Sequence, residues 1–268
     1  MEISLGEVQS AAKKIARSFI GGSVLGIDLG SSCIKIVQLR KENGKPVLET
    51  YGSLEIGPYG NLAKGEALNM EPKRLAAALL DLLHEVDANA RRGGMSIPLS
   101  STFISIIESP KRDPEQMRLI LPTEAVAYIP VPLSTVTLDW QIIPESDEAR
   151  PFEHAETGEA VSPRMQKILL AAVQNGAIEE HSATAASASL SIDFQEVEMF
   201  SAARIAPHNP GESSLLLDLG ASTTKMYVMN EHGAPLSAHS VKGGGVGLTK
   251  AIMAASARHF PEAEAAPI

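Results

Sequence analysis

At 268 residues and 44% hydrophobic content, the chain is long enough for one large or two medium domains with real cores, which argues against disorder over most of its length. A net charge of -9 excludes a general nucleic-acid surface, because phosphate binding needs clustered positive charge that neighbouring acids do not cancel. The single cysteine, Cys33, excludes an internal disulfide framework and fits a reducing compartment.

In chain order, the first feature is an apolar helical stripe formed by Leu5, Val8, Ala12, Ile15 and Phe19. It reads as a short helix packed on its own domain or a flexible leader, with a membrane-surface or partner helix as the sharper alternative. Glu2 and Glu7 interrupt the positive region that a secretory signal needs. No run approaches the roughly 20 apolar residues that span a bilayer.

Next comes a motif used twice. Gly26-Ile27-Asp28-Leu29-Gly30-Ser31-Ser32 lays over Leu216-Leu217-Asp218-Leu219-Gly220-Ala221-Ser222 at an offset of 190 residues. Lys35 then aligns with Lys225, and, with one residue of slippage, both runs end in Glu-x-Gly-x-Pro, at residues 42–46 and 231–235. Each copy reads strand, tight turn, strand, hairpin turn, strand.

Between the copies, residues 72–90 carry Leu75, Leu79, Leu82, Leu83 and Val86 at helical spacing, with Pro72 in the first turn. Residues 95–108 read as short strands. Residues 115–128 read as a helix that Pro122 should kink or restart, and 135–143 as a strand alternating around Leu138 and Trp140. Residues 144–163 are an acidic surface loop. Residues 165–173 form a buried strand, 177–190 an Ala/Ser-rich helix able to approach its neighbour closely, and 194–199 another strand. A glycine-rich turn at 242–247 opens a helix over 248–259, and 261–268 form a frayed tail.

A strand ending in Asp-x-Gly-Ser/Ala-Ser and turning back presents backbone amides and hydroxyls to an anion. The aspartate cannot face phosphate bare, so it works through a hydrated magnesium ion that keeps several waters. Seen singly, such a hairpin is as often an ordinary turn whose Asp and Ser satisfy backbone donors. Two copies in matching contexts imply a duplicated domain whose halves face each other across one phosphate.

Residues 26–39 with 215–227 resemble the two phosphate hairpins of the actin, Hsp70 and sugar-kinase superfamily. That resemblance makes Asp28 and Asp218 the magnesium-side carboxylates, Gly30, Ser31, Ser32, Gly220, Ala221, Ser222 and Thr223 the phosphate cradle, and Lys35 a strand-exit charge. Gly243 and Gly244 match the step after the second hairpin, where a helix-start packing turn and a phosphate contact are both open readings. Residues 125–132, Ala-Val-Ala-Tyr-Ile-Pro-Val-Pro, followed by Val136-Thr137-Leu138-Asp139-Trp140, look like the insertion of the PilM-type pilus assembly family, itself similar to that of FtsA.

The resemblance implies an α/β fold, actin-like (ribonuclease H-like) and duplicated, with an FtsA/PilM-type α+β insertion. The implied organisation is a leader at 1–23, a first actin-like domain at 24–101 and 176–210, an inserted subdomain at 102–175, and the start of a second actin-like domain at 211–268. It also implies ATP and Mg2+ as ligands, at most a slow ATPase activity, and a cytoplasmic scaffold that docks the N-terminal peptide of a PilN-like inner-membrane pilus protein. Self-association is a further possibility of such a chain; nucleic acid is not a partner. The alternatives are an FtsA-like polymerising division ATPase and, more distantly, a small-molecule kinase, for which no placed acid supplies a base. The resemblance runs from Val24 to Ile252 and stops where family members continue with a Gly-rich adenosine turn, so weak or absent ATP binding is expected. Gln174-Asn175-Gly176 departs from the charged residues expected at that strand end. The seven histidines show no metal-ligand spacing and read as solvated or locally bonded, and Trp140 and Tyr128 read as packing residues of the insertion.

Overall fold

The computed structural model describes residues 22–143, 165–207, 209 and 211–259; the expectations for residues 5–19, 144–163 and 261–268 lie outside them. In chain order the elements are β1 (Val24–Leu29), β2 (Cys33–Glu42), β3 (Lys45–Glu55), α1 (Pro72–Glu85), β4 (Arg92–Ile97), β5 (Thr102–Pro110), α2 (Pro114–Ala125), β6 (Val136–Ile142) and β7 (Met165–Gln174). Then follow α3 (Asn175–Ser187), β8 (Ser191–Val197), α4 (Glu198–Ile205), β9 (Ser214–Leu219), β10 (Thr223–Met229), β11 (Pro235–Lys242) and α5 (Gly245–His259).

Alternation in β1 and β2 sends Leu25, Ile27, Ile34 and Ile36 to one face, where they meet Leu79, Leu82 and Leu83 of α1 and Ala185 of α3 in a common core. The sheet runs β3-β2-β1-β4-β8, antiparallel through β3, β2 and β1 and parallel through β1, β4 and β8. That order and sense is the ribonuclease H-like sheet of an actin-like domain. Asn43 and Gly44, with φ of 50° and 81°, turn β2 into β3 in the left-handed conformation a tight hairpin needs.

Helix α1 stops at Glu85, five residues short of the expected end. Asp87 takes a φ of 52°, and the Ala88 amide closes back on the Leu83 carbonyl at 2.9 Å. The buried Gln38 side chain then takes the amides of Asn89 and Ala90, at 3.0 and 2.9 Å, and ties this segment to β2. Two further expectations shift. Strand β4 starts at Arg92 rather than Met95, its opening masked by Gly93 and Gly94, and residues 198–205 form α4 where the sequence suggested the end of a strand.

The second sheet, β5-β7-β6, is antiparallel throughout. Its central strand β7 is buried on both faces. Ile168, Leu170 and Ala172 pack toward Met117, Leu121 and Ala125 of α2. Leu169, Ala171 and Val173 enter a different core, with Ile97, Val197, Met199, Phe200, Tyr227 and Met229. Helix α2 starts on Asp113, whose side chain accepts the amides of Glu115 and Gln116 at 3.0 and 2.9 Å. Pro122 does not restart the helix, which is one element from Pro114 to Ala125. Its ring lies on the exposed face, where the carbonyl it leaves without an amide partner can turn to water. Trp140 packs against this core, but Tyr128 is exposed and does not belong to it.

The third sheet, β11-β10-β9, repeats the first three strands of the first sheet. Its inner face, with Leu216, Tyr227 and Ala238, shares the core that β7 and α4 enter. Three sheets therefore meet around one apolar cluster.

Leu79 is fully buried while Leu80, one position on, is exposed. Leu79→Ala should lower stability by about 2–5 kcal/mol, and Leu80→Ala should change it by less than about 0.5 kcal/mol, measured by denaturant unfolding.

Candidate functional site

The two copies of the repeated motif fold into the same turn. In the first, the Gly30 amide donates to the Cys33 carbonyl at 3.0 Å; in the second, the Gly220 amide donates to the Thr223 carbonyl at 3.0 Å. A Cβ on Gly30 or Gly220 would stand 2.8 or 2.9 Å from those same carbonyl oxygens, so neither turn closes around a larger residue. Asp28 pairs across its ladder with Lys35, and Asp218 with Lys225. In each pair the lysine Nζ donates to aspartate Oδ2 at 3.5 Å.

The turns face each other, and Ser31 Oγ lies 2.8 Å from Ser222 Oγ, within hydrogen-bond reach across 191 residues of chain. Charges also meet across this gap. Partial burial pulls the Lys35 ammonium down, but Asp28, with Cys33 and Asp218 adding, carries it above its ordinary value. The structure thus brings Asp28, Gly30, Ser31, Ser32 and Lys35 together with Asp218, Gly220, Ala221, Ser222 and Thr223.

Each turn is pinned from behind. The Ser31 and Ser32 carbonyls accept the amides of Leu68 and Ile56, at 2.8 and 2.9 Å. The Gly220 and Ala221 carbonyls accept the amides of Gly245 and Val246 at the start of α5, at 2.9 and 3.1 Å. A Cβ on Gly244 would sit 2.3 Å from the Gly220 oxygen, so the glycine run is what lets α5 approach the second turn. Gly243 and Gly244 thus lie in a packing turn, where amides of the helix start go to hairpin carbonyls.

Several site residues carried no signal in the sequence. Ser96, at the end of β4, donates through its hydroxyl to Asp28 Oδ1 at 2.7 Å. Glu198, the first residue of α4, accepts the Leu99 amide at 2.6 Å through Oε1 and the Lys225 ammonium through Oε2. Tyr227 is fully buried, and its hydroxyl finds no hydrogen-bond partner among the described residues. Burial, reinforced by the nearby carboxylates of Glu198, Asp218 and Asp28, pushes its ionisation well above the usual tyrosine range.

His181 is the fourth. Read from the sequence as solvated or locally bonded, it is mostly withdrawn from solvent on α3, and burial holds its pKa below the ordinary value against the opposing pull of Glu180, Asp28 and the Ser96 backbone. A long-range tyrosine, glutamate or histidine of this kind has no local spacing to betray it.

Two aspartates, each bonded to a lysine, do not make a cage of direct metal ligands, and among the described residues no cluster of three or more His, Cys, Asp or Glu side chains could hold an ion. The donor set fits a magnesium ion that keeps most of its waters. Beside Asp28 a cleft of about 300 Å³ opens on the face of the first sheet opposite α1, floored by Gly26, Val37, Gly94 and Phe194 and rimmed by Glu196 and Arg204. Among the described residues no helix is long and apolar enough to cross a membrane.

Comparison with known proteins places this geometry. The family described as type IV pilus assembly protein PilM matches residues 26–268. Among solved structures, the chain is similar to the PilM-PilN type IV pilus biogenesis complex, with 26% identity and a TM-score of 0.68, over 89% of this chain and 66% of that one. It therefore spans about two thirds of that chain's length. It shares its fold with the cytoplasmic domain of EpsL, an inner-membrane component of the type II secretion system of Vibrio cholerae, at 11% identity and a TM-score of 0.51, over 90% of this chain and 79% of that one. The fold is the actin-like α/β fold expected from the hairpins.

Two outcomes follow from the buried groups. His181 binds its proton less readily folded than unfolded, so stability should fall as pH drops through the ordinary histidine range, from about 7 to about 5, and His181→Gln should flatten that part of a pH series of unfolding curves. Removing an unpartnered hydroxyl costs no hydrogen bond, so Tyr227→Phe should leave the unfolding midpoint unchanged or raise stability by about 1 kcal/mol.

Proposed function

Because the chain belongs to the type IV pilus assembly protein PilM family, we propose that it is an actin-like scaffold of pilus or related secretion assembly which docks the cytoplasmic N-terminal peptide of a PilN-like inner-membrane protein. The observation that carries this reading is the likeness to the PilM-PilN complex over 89% of the chain. The peptide takes the groove between the first actin-like domain, residues 24–101 with 176–210, and the inserted subdomain, residues 102–175. Residues 211–268 begin the second domain. The chain works in the cytoplasm and reaches the inner membrane through its partner. Its single cysteine is compatible with that compartment.

The hairpins are the site for magnesium-ATP. Bound there, the nucleotide would supply the negative charge that both turns face and a hydrated magnesium ion to meet Asp28 and Asp218. Ser31, Ser32, Ser222 and Thr223 offer hydroxyls, and Lys35 and Lys225 hold the aspartates that would meet the hydrated metal. A phosphate oxygen bonded to both Ser31 and Ser222 would set their hydroxyls roughly 4.5 Å apart, wider than the 2.8 Å contact, a change that rotation of either serine side chain about χ1 supplies. The peptide site does not depend on this one.

Fluorescence anisotropy with a labelled N-terminal peptide of the pilus partner, run beside calorimetric titration with magnesium-ATP, tests the reading. The peptide should bind without nucleotide, and Asp28→Ala should leave its affinity unchanged. Magnesium-ATP should bind weakly, and Asp28→Ala or Asp218→Ala should cost a further 1–3 kcal/mol or so. Tight ATP binding with no peptide binding would refute the scaffold.

A further inference from the structure

Two strands hold the two carboxylate oxygens of Asp28. Lys35 of β2 donates to Oδ2 at 3.5 Å, and Ser96 of β4 donates its hydroxyl hydrogen to Oδ1 at 2.7 Å. The lysine reaches its partner within one hairpin, whereas the serine reaches it across 68 residues of chain. Register explains the second contact. Strands β1 and β4 run parallel with Ile27 opposite Met95, so Asp28 and Ser96 follow side by side, one residue on. Ile27 and Met95 point into the core shared with α1, which turns Asp28 and Ser96 to the other face of the sheet. The approach is also close. A Cβ on Gly93 would stand 1.9 Å from the Leu25 carbonyl oxygen, so glycine there lets β4 lie tightly on β1.

Ser96 has a carboxylate on its other side as well. Its partner in the ladder with β8 is Glu196, whose side chain is only 10% exposed. A serine hydroxyl carries one hydrogen, which two flanking carboxylates would contest. Here Arg204 of α4 decides the contest, because its two Nη atoms take both Glu196 oxygens. The hydroxyl is thereby left to Asp28. Lys35 does not duplicate this bond: its ammonium sits on a flexible stem, is 59% exposed, and meets Asp28 at the outer limit of a hydrogen bond.

We propose that Ser96 is the positioning residue of the Asp28 carboxylate, setting the direction in which it meets the waters of a hydrated divalent cation, and that the Arg204 clamp on Glu196 reserves the Ser96 hydroxyl for this task. That role rests on Asp28 being a magnesium-side carboxylate and concerns the cation, not the nucleotide. A carboxylate that acts through metal-bound waters must present its acceptor oxygens along fixed directions. A neutral donor on a central strand orients it without cancelling the charge that attracts the cation. A second lysine would orient it and cancel that charge.

Manganese(II), a paramagnetic stand-in for magnesium, reads the site with no nucleotide present. Titrated into the nitrogen-15-labelled chain, it should broaden the amides of residues 28–32 before those of the rest of the first sheet. Ser96→Ala should raise the manganese concentration this needs about tenfold, and Ser96→Thr, which keeps the hydroxyl, should return it to the parent's. Arg204→Met frees Glu196 to compete for the hydrogen and should weaken binding; adding Glu196→Leu to it removes the competitor and should restore binding. A merely structural role would show no such recovery, and circular dichroism matching the parent confines the comparison to folded chains. Parent amides untouched by manganese, a Ser96→Ala chain as tight as the parent, a Ser96→Thr chain as weak as Ser96→Ala, or a double variant as weak as Arg204→Met would each overturn the proposal. The expected manganese responses in a chain that magnesium-ATP does not titrate would uphold it and count against the nucleotide site alone.

Discussion

A carboxylate withdrawn from water must find partners nearby, and Glu198 finds them in two distant parts of the chain. Through one oxygen it holds the Leu99 amide, where the chain leaves the first sheet for the second; through the other it holds Lys225 of the second hairpin. Its own backbone is the joint between β8 and α4. The three sheets therefore meet at one side chain, directly above the apolar cluster that Met199, Phe200, Leu169 and Tyr227 share. Loss of that carboxylate would leave Lys225 with Asp218 alone and Leu99 with an unpaired amide. Glu198 thereby ties the second hairpin to the segment where the first sheet ends, and the two turns stand opposed with Ser31 against Ser222.

The repeat could be seen in the sequence because it is local: Asp28 and Lys35, like Asp218 and Lys225, are seven residues apart and register opposite each other in antiparallel strands. Hydrophobic spacing likewise announced α1, and an unbroken apolar run announced the doubly buried β7. Glu198, Ser96, His181 and Tyr227 gave no such sign. Their roles come from contacts between elements far apart in the chain, and neither period nor propensity carries that information. Ends of elements failed for related reasons. The end of α1 is set by Asp87 turning left-handed and by Gln38 reaching from β2, both tertiary effects on a segment that keeps its helical spacing. Helix α4 was hidden because Met199 and Phe200, adjacent and apolar, suit a strand until the shared core claims them.

The two copies of the motif differ less in their turns than in what braces them. The first turn is held by the loop around Ile56 and Leu68, the second by the glycine run that starts α5. Bracing the second turn with a helix start brings that helix to the site.

Hydrogen–deuterium exchange at millimolar magnesium-ATP tests the shared phosphate site most directly, because it reads both turns in one experiment. If one phosphate sits between them, the amides of residues 30–32 and 220–222 should slow together. Protection of one turn alone, or of neither at saturation, would contradict a site built from the two hairpins.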